Sequence, residues 1–149
     1  MSDHKIKRHN KSLLLYHIVI PLKYRRNVIN KEVGETLIKI CFEITERFEV
    51  EFIEIGYELD HVHFLVQSVP SYSVSKMITM LKSITAKQLF QRHPEVKAIL
   101  WNGKFWTSGY YVNTVGQYSN EEVIRAYVKN QGKEKEYKKL HQQQLKLLF

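Results

Sequence analysis

The chain has 149 residues, 44% hydrophobic and 26% charged, which suits one soluble domain with a core of its own. Its 23 Lys and Arg against 15 Asp and Glu leave a net charge of +8, so a polyanionic partner is favoured. No apolar run reaches the length of a membrane span, and MSDHKIKRHNK lacks the apolar centre of a secretory signal, so a cytoplasmic protein with no membrane partner is expected. The one cysteine, Cys41, excludes an intrachain disulfide and a cysteine-based zinc cluster.

In chain order, residues 1–11 are polar and basic and read as a flexible arm. SLLLYHIVIP (12–21), apolar, rich in branched residues and stopped by Pro21, is a strand, and KYRRN after it is a basic turn. Val33, Leu37, Cys41, Ile44 and Phe48 recur at helical spacing behind Asn30, a helix cap, and an acidic first turn, so 30–48 is a helix with Cys41 as a small core filler. VEFIEIGYEL (50–59) and HVHFLVQS (61–68) are strands so close together that they form a hairpin, with Gly56 marking a bulge.

SVPSYS opens a second helix, roughly 73–91, with Val74, Ile78, Leu81 and Leu89 on one side. Lys76, Thr79, Ser83 and Lys87 share the other, and Lys82 borders it. HPEVKAILWNG is a connector, and KFWTSGYYVNTVG (104–116) a fourth strand. The order strand, helix, strand, strand, helix, strand is the split βαβ pattern of an α+β, ferredoxin-like (RRM-like) fold: an antiparallel sheet with two helices on one face and the other face open. This core spans 12–116. Beyond it, SNEEVIRAYVKNQG (119–132) is a helix with a Ser119–Glu122 capping box and a Gly132 stop. A final helix, about 134–149, is basic and then leucine-rich.

Strand side chains alternate, so Val62, Phe64 and Val66 point under the helices while His61 and His63 project together from the open face. Leu13, Leu15, His17 and Val19 form one alternate set of the first strand, and His17 joins that face. Two imidazoles this close suit a shared divalent ion, although a wet sheet face explains the pair equally well. Tyr127 and Gln131, four apart, lie on one stripe of the 119–132 helix, separated by about 6 Å of rise and about 40° of rotation. Each read alone is a boundary or solvated residue.

In combination, YHIVIPLKYRRNVI (16–29), DHVHFLVQ (60–67), the helix around LKSIT (81–85), LWNGKFWTSGYYVNTVG (100–116) and YVKNQ (127–131) resemble the single-tyrosine transposases of short insertion sequences. These are the insertion-sequence-200-like family within the HUH endonucleases, and the likeness covers about 12–132. It implies that His61, His63 and Gln131 hold one divalent ion, Mg²⁺ or Mn²⁺, beside a scissile phosphate of single-stranded DNA. It implies Tyr127 as the nucleophile, a covalent 5′-phosphotyrosine and recognition of hairpin ends. It also implies a homodimer whose active sites are shared between subunits, and a prokaryotic host in which the DNA-bound protein associates with the nucleoid. No separate general base is legible. Asp60, facing away from the histidines in a regular strand, is left as a neighbour.

Lys23, Arg25 and Arg26 in the first loop, and Lys76, Lys82, Ser83 and Lys87 on the second helix, are the candidate DNA contacts, since cations neutralise phosphates. Trp101, Trp106, Tyr110 and Tyr111 either stack unpaired bases or pack in a core or interface. Two rival readings stay open. One is a domesticated relative that processes chromosomal palindromic repeats, against which the short tail argues; the other is a non-catalytic nucleic-acid-binding domain of the same shape.

Overall fold

The computed structural model describes residues 3–100 and 103–116. Strands β1 (Lys5–Ile6) and β2 (Lys11–Ser12) form a small antiparallel pair, followed by β3 (Leu14–Pro21), α1 (Lys31–Arg47), β4 (Glu51–Glu58), β5 (His61–Ser68), α2 (Val74–Arg92), α3 (Pro94–Ile99) and β6 (Tyr111–Val115). The main sheet is antiparallel throughout and runs β4-β5-β3-β6, which is the ferredoxin-like order expected. Because β5 and β3 are the two interior strands, both ladders of hydrogen bonds hold them.

Local chemistry accounts for most of the boundaries. The Asn30 side chain accepts the Val33 amide at 2.9 Å and starts α1, while Ser73 Oγ accepts the Lys76 amide at 3.0 Å and starts α2. Val33, Leu37, Ile40, Cys41 and Ile44 of α1, and Met77, Ile78, Leu81 and Leu89 of α2, pack on Ile18, Ile20, Val62, Phe64 and Val66 from the sheet. Gly34 lets α1 come close to the sheet, since a Cβ there would collide with the Tyr57 ring. Cys41 is fully buried, and burial pushes its thiol pKa up, so it is an inert filler as expected.

Five expectations need correction. The basic arm is not featureless: β1 and β2 pair, and Lys5 and Lys7 form ion pairs with Glu51 and Glu49 that tie the arm to β4 and its approach. The irregularity in the hairpin falls at Ile53, between the pairs Phe52–Val66 and Glu54–Leu65. Gly56 instead sits in register, opposite His63. The connector after α2 contains α3, begun by Pro94 at a position where a missing N–H costs nothing. The last strand starts only at Tyr111, and of 104–110 just Trp106 makes a strand-like bridge, to Leu22.

The fifth correction concerns the face away from the helices, which is not open. Leu15, His17, Val19, His63 and Leu65 on it are all buried, Leu15, Leu65 and Val115 forming a second apolar cluster. The Gln67 amide donates to the Asp3 carbonyl at 2.8 Å, so the arm contributes to that face. Among the described residues, no helix is long and apolar enough to cross a membrane.

Candidate active site

The histidine pair is positioned by the hairpin. Residues 59 and 60 turn the chain, and β5 begins immediately at His61, directly across from Pro21. His61 and His63 lie on one face, as the alternation requires, with ring centroids 5.4 Å apart and planes at 69°. Both are buried.

Asp60 is more than a neighbour. It sits in the turn rather than in a regular strand, which frees its carboxylate to fold back onto His61. Its Oδ1 lies 2.6 Å from His61 Nδ1, and Arg25 donates to Oδ2 from Nε at 2.8 Å and from Nη2 at 2.6 Å. Burial pushes the Asp60 carboxyl up, but the hydrogen bonds from His61 and Arg25 outweigh this and hold its pKa at about 2. An ionised carboxylate only accepts, so His61 Nδ1 is the donor. A carboxylate behind a metal-binding imidazole is the usual device for fixing ring and tautomer.

His63 Nδ1 lies 2.9 Å from Nε2 of His17, whose ring stacks at 5.1 Å and 17°. Burial drives the His17 pKa down to about 4, so that ring is neutral at physiological pH. The sequence signal for His17 was its phase in the first strand; for Asp60 it was only adjacency. Neither contact could be read without the register between strands. Among the described residues no three His, Cys, Asp or Glu side chains group as a metal site. Tyr127 and Gln131, with the expected helices 119–132 and 134–149, lie outside the described residues.

The basic residues divide. Lys23, Arg25 and Arg26 follow β3 in a turn that also carries His61 alongside: the Leu22 amide donates to the Asp60 carbonyl at 2.9 Å. Tyr24 and Arg25 take left-handed φ values of 58° and 53°, a strained pair that turns the exposed Tyr24 and Arg26 outward. Arg25 is ion-paired with Asp60, which ties this turn to the histidine strand. Lys76, Ser83 and Lys87 are exposed on α2, in the layer on the other side of the sheet from the histidines.

Lys82 also has partners within the fold. Its ammonium donates to the carbonyls of Thr107, Ser108 and Gly109 at 2.8, 3.2 and 3.0 Å, and burial lowers its pKa. It clamps the segment leading into β6 and borders a shallow cavity of about 350 Å³ lined also by Thr79, Ser83 and Lys104. Lys82→Met is expected to speed proteolysis at 107–109 while leaving the salt slope of DNA binding unchanged. A slope smaller by about one would instead mark Lys82 as a phosphate contact. Trp106 is buried in the main core, while Tyr110 and Tyr111 are half-buried and Trp101 lies outside the described residues.

Residues 10–131 match the family model for IS200-like transposases. The chain belongs to that family. The match takes in β3 with His17, the His61–His63 strand and the positions of Tyr127 and Gln131. This transposase is 36% identical over 135 residues to the transposase of insertion sequence element IS200 from Salmonella typhimurium, covering 88% of this chain and 85% of that one. It is 30% identical over 118 residues to the ISDra2 transposase TnpA of Deinococcus radiodurans, covering 79% and 84%. Among solved structures, one from Deinococcus radiodurans described as a transposase superposes with a TM-score of 0.69 at 28% identity, covering 80% of this chain and 92% of that one. A REP-associated tyrosine transposase bound to a REP hairpin shares the fold alone, with a TM-score of 0.56 at 11% identity over 86% of this chain and 70% of that one.

Proposed function

We propose that this transposase cuts and rejoins single-stranded DNA ends of an insertion sequence through a 5′-phosphotyrosine at Tyr127. The carrying observation is the pair His61 and His63, co-facial on an interior strand, with Asp60 hydrogen-bonded to His61 Nδ1, in a chain of this family. Tyr127 oxygen bonds to the scissile phosphorus, the bond from phosphorus to the 3′ oxygen breaks, and that oxygen takes up a proton as the phenol loses one. Reversal by another 3′-hydroxyl rejoins strands, because the phosphoester is conserved.

His61, His63 and Gln131 would hold the divalent ion. When bound, the ion supplies polarisation of the phosphate and stabilises charge on the departing oxygen. Two nitrogen donors favour Mn²⁺ over Mg²⁺, which sheds water reluctantly and prefers oxygen ligands. Lys23 and Arg26 lie on the turn beside His61 and neutralise DNA phosphates there, while Lys76, Ser83 and Lys87 on α2 serve a more distant part of the strand or hairpin. Arg25 acts through Asp60. The protein works as a homodimer with active sites shared between subunits, and it acts on DNA hairpin ends in a prokaryotic nucleoid.

The test is incubation with hairpin-bearing single-stranded DNA and Mn²⁺ or Mg²⁺, scoring a covalent protein–DNA adduct on a denaturing gel. The expected result is an adduct from the native chain, none from Tyr127→Phe and none with chelator. An adduct that survives both changes sinks the proposal, and binding with no adduct at all favours a non-catalytic binding domain.

A further inference from the structure

Residues 4–11, HKIKRHNK, carry Lys5, Lys7, Arg8 and Lys11 and no carboxylate, and the reaction proposed above gives them no part. Ile6 pairs with Lys11 across the β1–β2 ladder, and the Lys7 amide donates to the Asn10 carbonyl at 2.7 Å, so Arg8 and His9 form the tip of a hairpin. Lys5 and Lys7 are engaged by Glu51 and Glu49, which fix the hairpin to the sheet. Arg8 and Lys11 are exposed and, among the described residues, have no ion-pair partner.

The tip faces a second wall. Across a cavity of about 330 Å³ stand Val69, Pro70 and Ser71, in a turn that the Tyr72 amide closes by donating to the Val69 carbonyl at 3.1 Å. Both walls are pinned to one residue: the Glu49 carboxylate pairs with Lys7, and the Glu49 amide donates to the Tyr72 hydroxyl at 3.3 Å. α2 begins just beyond, capped by Ser73, with no acidic residue in its first turn and the Lys76 ammonium over the Tyr72 ring at 5.4 Å. The helix N-terminus and Lys76 therefore add to the positive field of Arg8 and Lys11.

Strand register sets the distance from this groove to the histidines. Leu14 pairs with Ser68 at the groove end of the sheet, whereas Pro21 pairs with His61 at the other. From His61 to Ser68 an extended strand covers about 24 Å.

We propose that the β1–β2 hairpin and the 69–71 turn form a second DNA site, which holds the sugar–phosphate backbone of the substrate at the opposite end of the sheet from the histidine pair. The lining selects the ligand. Arg8 and Lys11 neutralise phosphates, and Asn10 and Ser71 offer hydrogen bonds to phosphate or sugar oxygens. None of the described residues lining the cavity is Phe, Tyr or Trp, so the site has no platform for stacking bases. Backbone contact of this kind sets register without reading sequence. A duplex stem lying along the sheet would span the distance in about seven base pairs, at ~3.4 Å each. The inference rests on DNA being the substrate, as proposed above, and not on the chemistry at Tyr127.

The full chain is titrated with hairpin-bearing single-stranded DNA by fluorescence anisotropy over a range of salt concentrations. Three double variants are compared: Arg8→Ala with Lys11→Ala, the charge-keeping Arg8→Lys with Lys11→Arg, and Lys39→Ala with Lys97→Ala. The last removes the same charge from exposed positions on α1 and α3. Thermal melts check folding, and adduct formation by the native chain is scored in parallel. The first variant is expected to bind about tenfold more weakly, for any hairpin sequence, with a salt slope shallower by about two. The charge-keeping variant should stay near native, and the distant pair should change the slope far less. A photo-crosslinker on His9→Cys gives a second readout, since Cys41 is buried and leaves the new thiol as the reactive one. It is expected to mark one narrow stretch of the DNA. Native affinity and slope in the folded first variant overturn the proposal, as does a loss no larger than that of the distant pair. Absent or scattered crosslinks overturn it even if the first variant fails to fold. Weakened binding and a narrow crosslink in a chain that forms no adduct leave this site standing and overturn the cleavage reading instead.

Discussion

Alanine at both His61 and His63 is expected to leave binding of hairpin-bearing single-stranded DNA nearly intact and to lower adduct formation about a thousandfold. Binding survives because its energy comes mainly from the lysines and arginines that neutralise phosphates. Cleavage fails because charge stabilisation by a divalent ion is worth several kcal/mol, and each 1.36 kcal/mol is about a factor of ten in rate. The fold is expected to persist. Both side chains lie on the face away from the main core, and Asp60 keeps its hydrogen bond and ion pair with Arg25. A gel-shift titration, adduct yield and a thermal melt on the same preparation separate the outcomes. Unfolding would make the pair structural, and undiminished cleavage would place the metal elsewhere.

Trp106→Ala is expected to cost about 3–5 kcal/mol of stability without weakening DNA binding by the molecules that remain folded. The sequence allowed this residue to be a base-stacking platform. In the structure it is only 6% exposed, and its indole N–H donates to Thr85 Oγ1 at 2.9 Å. Thr85 is itself fully buried and passes its own proton to the Leu81 carbonyl at 2.7 Å. Phe105 meets the indole edge-on at 4.6 Å, and the Leu22 bridge ties the segment to the end of β3. Truncation therefore opens a cavity and removes a donor from a dry threonine. Domains of this size have about 5–15 kcal/mol in total, so the loss should appear as a large fall in the urea midpoint with little change in slope. A stability within about 0.5 kcal/mol of the native value, coupled with weaker DNA binding, would return Trp106 to the stacking role.

The features legible in the sequence were those whose cause is local. Asn30 and Ser73 cap helices through their own side chains, and the alternation in His61–Ser68 alone separates core residues from histidines. Where the cause lies far along the chain, reading failed. The pairing of β1 with β2 is accompanied by contacts from Lys5 and Lys7 to glutamates more than forty positions away. The delayed start of β6 reflects a segment held by Lys82 and Trp106 rather than by a ladder. Gly56 has the composition of a bulge, yet it pairs in register opposite His63. For the site, the pair of histidines was visible but its support was not, because Arg25, Asp60 and His17 meet it only through the turn and the strand register.

The placement of that support has a thermodynamic consequence. His17 and His63 stand on the two innermost strands, so neither can rearrange without disrupting hydrogen bonds on both flanks. The conformational entropy of assembling this half of the centre is therefore spent when the sheet folds, not when a cation arrives. Under the proposed function, an ion would load onto a scaffold already formed.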